Sequence, residues 1–389
     1  MQEHTIHTKS CNRREFVLAS GVFVVGSMVS CGKQHAPELP KTRIKPSPVR
    51  VRIGKSVNRV VIGNNAFTIK NVGNLPKTVD IQPKTAVVIA GNTKQITGTI
   101  VLHPRENRSL DVVAHVPLEQ YLPGVIAGEL FSHWHLDTFA AQAVAARSYA
   151  IAQQLARKRT SHYDVTDGPS SQMFLGDVTL DVAHRAVQKT TGVVLTWNNE
   201  IIPAYYSACC GGLAATATDA ISGAEQHDML PLHGHEGKDF CTTLAIHKWT
   251  ARRSARVLRK RLNACANKLN LPELTNIHTI RSIEPLAHNQ HGRPTQISVS
   301  GRRGETCTVS ARDFVRAVNA PIDSLPKVTD QIWSSFLVGQ KVGSRLQLDG
   351  FGIGHGVGLC QYGAQVLAGR GESWQNILSW YYPSVTMGV

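Results

Sequence analysis

Residues 136–157, LDTFAAQAVAARSYAIAQQLAR, carry the strongest helical pattern of this 389-residue chain. Alanine and leucine, two of the strongest helix formers, recur at helical spacing, and neither Gly nor Pro interrupts the run. The pattern predicts a long Ala-rich helix, with Gln142 and Tyr149 on one face because they are seven residues apart. Arg147 is the only charge in its interior. Such an Arg either snorkels from an apolar helix or belongs to a functional site.

The segments around this helix predict an α+β fold. Residues 49–113 alternate β-branched and polar residues between polar turns, which is typical of strands. The remainder mixes both element types, with predicted helices at Pro117–Gly124, Thr250–Leu269 and Trp374–Tyr382, strands over Ile277–Val309, and a hairpin over Leu195–Ala208 that turns at Asn198-Asn199. We therefore predict one domain over 49–389, with an N-terminal β-rich part (49–113) packed against a mixed α/β core (114–389).

The first 30 residues resemble an export signal. Arg13-Arg14 precedes an apolar run, Phe16–Val29, that is too short and too rich in Gly and Ser to span a bilayer comfortably. Small residues before Cys31 resemble a lipoprotein processing site, although a plain signal anchor with a chance cysteine is the alternative. The pattern predicts an exported cell-envelope lipoprotein, lipidated at Cys31 and joined to its domain by a tether over 31–48.

The charge balance indicates an anionic partner. Lys and Arg number 42 against 27 Asp and Glu, for a net charge of +15. The first 30 residues contribute only +1, three basic against two acidic side chains, so the mature part is itself basic. Candidate partners are nucleic acid, a membrane surface or an anionic wall polymer. Export and the lack of any nucleic-acid-binding motif argue against nucleic acid.

Two stretches carry candidate chemistry. Glu129 lies in the apolar segment VIAGEL, where desolvation would raise the pKa of a carboxyl group toward that of a general acid. A solvated surface Glu is the alternative. The run DGFGIGHGVGLCQYGA, residues 349–364, has too many glycines for a stable helix or strand and predicts a ligand-binding loop that presents His355 and Gln361. It matches neither a P-loop nor a dinucleotide fingerprint.

Five motifs in this order resemble the stage II sporulation protein D (SpoIID/LytB) family: VPLEQYLPGVIAGEL, AAQAVAARSYAIAQ, SSQMFLG, PAYYSACCGG and GIGHGVGLCQYGAQVLAGRG. The family contains peptidoglycan lytic transglycosylases and proteins associated with wall amidases. The resemblance implies that Glu129 is the catalytic acid. It also implies a set of substrate-binding residues: Gln142, Arg147, Ser148, Tyr149, Gln172, Ser207, Gly354, His355, Gln361 and Tyr362.

The resemblance, together with the export signal and Cys31, therefore predicts a membrane-tethered lytic transglycosylase that cleaves the MurNAc–GlcNAc bond of peptidoglycan glycan strands with a single Glu. Ordinary glycosidases use two carboxyl groups. A lytic transglycosylase needs one, since the 6-hydroxyl of the muramic acid attacks its own anomeric carbon. The alternative is a non-catalytic, wall-binding activator of a cell-wall amidase, which would be a protein partner.

Histidines and cysteines raise the question of a metal. His133 and His135 lie near Glu129, and His233, His235 and Cys241 cluster downstream, but neither H-E-x-x-H nor Cys-x-x-Cys occurs. Family members often have His-Ser where this chain has Ser207-Ala208, in a segment sometimes tied to zinc, which puts zinc in doubt. We therefore predict no metal, with zinc as the weaker alternative.

The six cysteines of the mature part indicate disulfides in an oxidising compartment. The expected pairs are Cys210 with Cys241 and Cys265 with Cys307, with Cys209 close to Cys360. The competing interpretation keeps the thiols free, with a metal held by Cys209, Cys210 or Cys241 alongside His233 or His235.

Overall fold

The computed structural model describes residues 47–341 and 345–388. The signal, Cys31 and most of the tether lie outside the described residues. The strands are β1 (Val49–Val57), β2 (Val60–Ile62), β3 (Asn65–Phe67), β4 (Lys77–Asp80), β5 (Thr85–Ile89), β6 (Asn92–Ile96), β7 (Thr99–Pro104), β8 (Leu110–Val116), β9 (Val165–Thr166), β10 (Val194–Trp197), β11 (Glu200–Ile201), β12 (Tyr206–Ser207), β13 (Lys248–Arg253), β14 (Ile280–His288), β15 (Pro294–Gly301), β16 (Thr306–Ser310), β17 (Phe336–Lys341), β18 (Leu346–Phe351), β19 (Leu359–Cys360) and β20 (Thr386–Gly388).

The helices are α1 (Ile69–Val72), α2 (Leu118–Glu129), α3 (Leu136–Arg157), α4 (Asp181–Lys189), α5 (Ala217–Ala220), α6 (Ala255–Leu269), α7 (Ala311–Asn319), α8 (Gln361–Gly369) and α9 (Trp374–Tyr381). Short 3-10 turns cover Glu225–His227, Leu230–Leu232, Phe240–Thr243, Ala245–His247 and Pro272–Asn276. These elements confirm the α+β fold. Among the described residues, no helix is both long enough and apolar enough to cross a bilayer.

The N-terminal part is built from two sheets. One has the strand order β4-β7-β8-β1-β9, and the other has the order β3-β2-β5-β6. Val49 and Val51 on β1 are fully buried, whereas Arg50 and Arg52, which alternate with them, are only partly buried. This alternation follows from the two-residue period of a strand, so one face of the sheet packs on the helices.

Helix α3 has the predicted bounds and lies at the centre of the first hydrophobic core, with its residues from Phe139 to Ala146 buried. Helix α2 extends five residues beyond its predicted end at Gly124, because Val125 and Ile126 are fully buried and hold the turn after Pro123 against the core. Gly124 is required there, since a Cβ atom would lie 2.2 Å from the carbonyl oxygen of Gly176. The extra turn carries Glu129 to the C-terminal end of α2.

The hairpin predicted at Asn198-Asn199 is confirmed. Asn198 and Asn199 have φ angles of 50° and 65° between β10 and β11. Positive φ at both central residues matches the twist of the two strands. Strand β20 pairs with the other side of β10, so the C-terminus closes this small sheet.

A second hydrophobic core lies in residues 249–348 and packs the sheets β13-β18-β17 and β14-β15-β16 against α6 and α7. The sequence predicted a helix from Thr250, and this is wrong for residues 250–253, which belong to β13 and pair with β18. Trp249 and Ala251 are buried there while their neighbours are exposed, the period of a strand. The helix starts only after Ser254, whose hydroxyl accepts a hydrogen bond from the Val257 amide.

The glycine-rich run is more regular than the predicted loop. Residues 349–351 belong to β18, residues 352–358 form the loop itself, and β19 and the first turn of α8 follow. Gly352, Gly354, Gly356 and Gly358 have φ angles of 81°, 95°, 77° and 63°, a backbone conformation that glycine adopts without strain. The loop crosses between the two cores and then returns as β19, which runs parallel to β12.

Candidate active site

Glu129 is half-buried at the end of α2, and both of its carboxylate oxygens accept hydrogen bonds. The Met173 amide donates to Oε1 at 2.9 Å, and Nε2 of Gln361 donates to Oε2 at 3.2 Å. Gln361 is the first residue of α8, directly after the glycine-rich loop. The two stretches that the sequence singled out therefore meet at one carboxylate.

Gln361 is itself held from the opposite side by α3. Its Nε2 also donates to Oε1 of Gln142 at 3.4 Å, and both amides are almost fully buried. An amide nitrogen has two hydrogens, so one Nε2 serves both acceptors. Helices α2, α3 and α8 thus converge on Glu129 through Gln142 and Gln361.

Glu129 and Gln361 open into a cavity of about 380 Å³ between the two hydrophobic cores. Aromatic side chains from the first core line it, namely Phe131, Trp134 and Tyr362, and Trp249 and Trp333 come from the second. The ring centroids of Trp134 and Tyr362 are 5.1 Å apart in an edge-on arrangement. Asp330 also lines the cavity, and its carboxylate accepts a hydrogen bond from the Arg252 amide at 2.5 Å. The sequence had not indicated Trp249, Trp333 or Asp330.

Gly350 fixes the position of Trp249. A Cβ atom on Gly350 would lie 2.2 Å from Cζ2 of Trp249 and 2.4 Å from the carbonyl oxygen of Phe336. We expect Gly350→Ala to lower the free energy of unfolding by about 2 kcal/mol, as overpacked cores do, and to shift the tryptophan fluorescence. Gly339→Ala in the same sheet is the control, because its Cβ atom would meet nothing within 4 Å. Equal effects in the two variants would contradict this role of Gly350.

Arg147 and Ser148 are buried, and neither side chain lines the cavity. The guanidinium of Arg147 forms two hydrogen bonds with the Glu119 carboxylate, at 2.8 and 2.7 Å, and donates to the Val193 carbonyl at 3.1 Å. The Ser148 hydroxyl accepts from the Leu195 amide at 2.9 Å. Both residues join α3 to its neighbours, so of the two roles that the resemblance implies, lining or bracing the groove, these contacts fit bracing.

Gln172, Ser207 and Gly354 also lie outside the cavity lining. The Gln172 amide is fully buried, accepts from the Tyr121 hydroxyl at 3.0 Å and donates to the carbonyl of Ala146 at 3.1 Å. The buried Ser207 hydroxyl accepts from the amide of Gly356 at 3.1 Å. These contacts fix the backbone beneath the site, because buried polar groups with all partners inside the protein have none left for a ligand.

Tyr149 and His355 line a second cavity of about 640 Å³. Tyr149 packs edge-on against Tyr205 and Tyr206, with centroid distances of 5.8 and 6.5 Å. Ile353 lines the first cavity, and His355, two residues later, lines the second. The predicted binding residues are therefore divided between two openings, and Glu129, Gln361 and Tyr362 share the first.

A thiol cluster lies behind Gln361. The six cysteines of the described part are free thiols, so the predicted disulfides are absent there. The sulfurs of Cys210 and Cys241 are 3.6 Å apart, beyond the length of an S–S bond. Hydrogen bonds from the thiols of Cys209 and Cys210 lower the pKa of Cys241, and burial raises the pKa of Asp239 to about 7.

The histidines are distributed unevenly around this cluster. Nε2 of His235 lies 3.4 Å from Oδ2 of Asp239, although the angles do not make this a hydrogen bond. His233 instead contacts the Asp228 carboxylate at 2.6 Å. The histidine that borders the cluster is therefore His235.

Residues 106–197 match the family model described as stage II sporulation protein (SpoIID). This segment contains Glu129, Gln142 and Gln172. Over these residues the chain is similar to the SpoIID family. Residues 224–358 match a second model, described as a domain of unknown function (DUF8618). That segment includes the second hydrophobic core, so Trp249, Asp330 and Trp333 reach the cavity from a region of unassigned function.

Curated relatives agree with this similarity. The chain is 23% identical to stage II sporulation protein D of Bacillus amyloliquefaciens, over 87% of this chain and 88% of that protein. It is 27% identical to an uncharacterized protein of Brachyspira hyodysenteriae, over 72% of this chain and 68% of that protein. It is 25% identical to the amidase enhancer of Bacillus subtilis, over 68% of this chain but only 40% of that protein. These similarities support a role related to the cell wall.

Proposed function

We propose that this protein is a peptidoglycan lytic transglycosylase that cleaves the MurNAc–GlcNAc bond with Glu129 as both acid and base. The observation that carries the proposal is the position of Glu129, half-buried in a cavity with aromatic walls and oriented by Met173 and Gln361. Aromatic faces bind the apolar faces of sugar rings, and a fixed carboxyl group can donate to a glycosidic oxygen.

The reaction needs one carboxyl group. The proton of Glu129 goes to the bridging oxygen, and the bond from this oxygen to the anomeric carbon of the muramic acid breaks. The 6-hydroxyl oxygen of the same sugar bonds to that carbon, and its proton returns to Glu129. The products are a new GlcNAc hydroxyl end and a 1,6-anhydro-muramic end, and the carboxyl group is regenerated.

The carboxylate of Asp330 lines the same cavity and suggests a competing reaction. A second carboxylate could activate water, and hydrolysis would then leave a reducing muramic end instead of an anhydro end. The Asp330 carboxylate already accepts a hydrogen bond from the amide of Arg252, which favours a structural task. The nature of the new ends distinguishes the two reactions.

The test is digestion of purified glycan strands, with and without stem peptides, followed by mass spectrometry of the ends. We expect 1,6-anhydro-muramic ends that increase with time and enzyme concentration. Reducing ends alone would replace the proposed reaction with hydrolysis. Unchanged strands would favour the other candidate, a non-catalytic activator of a cell-wall amidase, which the name of the Bacillus subtilis relative suggests.

The site of action follows from the basic charge and the N-terminal sequence. We propose export by the twin-arginine route, a lipid anchor on Cys31, and attraction of the basic mature protein to anionic wall polymers. The mature protein is then expected to begin at Cys31 with a mass that includes acyl chains. A mature N-terminus elsewhere, or an unmodified Cys31, would contradict the lipid anchor.

A further inference from the structure

Four ligand-type side chains converge behind the active-site cavity from separate parts of the chain. Cys210 follows β12, Asp239 and Cys241 flank the start of a 3-10 turn, and Cys360 ends β19. One ligand atom from each of the four lies within 4.8 Å of the others, and each residue is at most 1% exposed. Three sulfurs and a carboxylate at such distances form a set that can surround one ion.

We propose that Cys210, Asp239, Cys241 and Cys360 bind a zinc ion. Zinc prefers four ligands in a tetrahedron, with Zn–S bonds of about 2.3 Å, which places two sulfurs about 3.8 Å apart. The 3.6 Å between the sulfurs of Cys210 and Cys241 fits one edge of that tetrahedron. Thiolates favour zinc over calcium or magnesium, which prefer oxygen ligands.

Backbone amides point at two of these sulfurs. The Cys210 and Gly363 amides donate to Sγ of Cys360 at 3.4 and 3.3 Å, and the Gly212 amide donates to Sγ of Cys210 at 3.4 Å. A thiolate is a better acceptor than a thiol. Donors of this kind stabilise a ligand in the shell around a metal.

Arg293 supplies the balancing charge. Its guanidinium is 2% exposed, and Nη1 donates to the carbonyl oxygens of Cys210 and Leu213. Within the described part of the chain, its Nε and Nη2 form no hydrogen bond. A buried cation needs a nearby anion. Three thiolates, one carboxylate and Zn²⁺ together carry −2, whereas four neutral groups would leave Arg293 uncompensated.

Asp239 is prepared for the same role. Its Oδ1 accepts hydrogen bonds from the Cys241 amide at 2.7 Å, while Oδ2 has no hydrogen-bond partner among the described residues. A buried carboxylate oxygen without a donor is costly unless something positive occupies its lone pairs. A zinc ion bound by the Asp239 carboxylate provides such a positive partner.

The proposed zinc site is connected to the active site through Cys360. Cys360 directly precedes Gln361, and its sulfur caps the first turn of α8. An ion bound to Cys360 therefore fixes the helix end that presents Gln361 to Glu129. The zinc site does not depend on the proposed reaction, and only its effect on Glu129 rests on that reaction.

The first measurement is the metal content of the full-length protein purified from an export-competent host without chelators. We expect about one zinc per chain. A mercurial reagent that modifies the three ligand thiols should release this zinc in proportion to their modification. Exchange for cobalt should produce a thiolate-to-cobalt absorption band.

Cys241→Ser and Cys265→Ser are the matched variants, since both replace a buried thiol but only Cys241 belongs to the cluster. Zinc affinity should fall at least tenfold in Cys241→Ser and stay unchanged in Cys265→Ser. A native protein that takes up no zinc or cobalt, or one with a Cys210–Cys241 disulfide, would overturn the site. Metal binding without glycan cleavage would overturn the proposed reaction and leave the site standing.

Discussion

Glu129→Gln is expected to lower the rate of glycan cleavage by about 10²–10⁴-fold, the usual contribution of a general acid. Glutamine has the same shape but has no acidic proton to donate to the bridging oxygen. Its Oε1 can still accept the hydrogen bond from the Met173 amide. The rate is measured as anhydro-muramic ends formed per unit time from purified strands.

Two controls separate lost chemistry from lost structure. The new amide nitrogen of Glu129→Gln would face Nε2 of Gln361, and rotation of the Gln361 and Gln142 amides together relieves this contact, since Nε2 of Gln142 has no partner among the described residues. We therefore expect the free energy of unfolding to change by no more than about 1 kcal/mol. Asp330→Asn should retain cleavage to within about tenfold. Wild-type turnover in Glu129→Gln would show that Glu129 is not the acid.

Glu119→Ala should lower the free energy of unfolding by about 3 kcal/mol, because it leaves the Arg147 charge unpaired inside the protein. The side chain of Arg147 is 1% exposed, whereas that of Glu119 is 35% exposed. Water can therefore solvate part of the vacated site. This solvation keeps the expected loss at the lower end of the roughly 3–5 kcal/mol that breaking a buried ion pair costs. Denaturant titration of the wild type and variant measures the loss.

The double variant Glu119→Ala/Arg147→Met tests the cause. Replacing both charges with apolar groups removes the unpaired cation, so stability should return to within about 1 kcal/mol of the wild type. The Val193 carbonyl then loses its donor, which limits the recovery. A double variant that is less stable than Glu119→Ala would contradict this explanation. The unpaired Arg147 charge would then not be the cause of the lost stability.

Local signals were enough to predict several elements. An uninterrupted Ala-rich run predicted α3, and paired asparagines predicted the turn of the β10–β11 hairpin. The density of glycines predicted the loop over 352–358, because so many glycines destabilise a helix or a strand. The family motifs predicted that Glu129 and Gln361 belong to one site, and the structure places the two side chains in contact.

Other features depend on contacts that no local pattern contains. The basic residues on the exposed face of β13 resembled the start of a helix in the sequence. In the structure they form a strand, because β13 pairs with β18. A buried Arg147 and an exposed one have the same sequence context, and only the position of Glu119 distinguishes them. Trp249 and Trp333 lie more than 100 residues from Glu129, so only tertiary packing reveals that they share its cavity.

The division of the cavity between two hydrophobic cores has an evolutionary consequence. Glu129 lies at the end of α2, which packs in the first core, whereas Trp249 and Trp333 are carried by the second core. Substitutions inside the second core can therefore reshape one wall of the cavity while the packing that positions Glu129 is inherited unchanged.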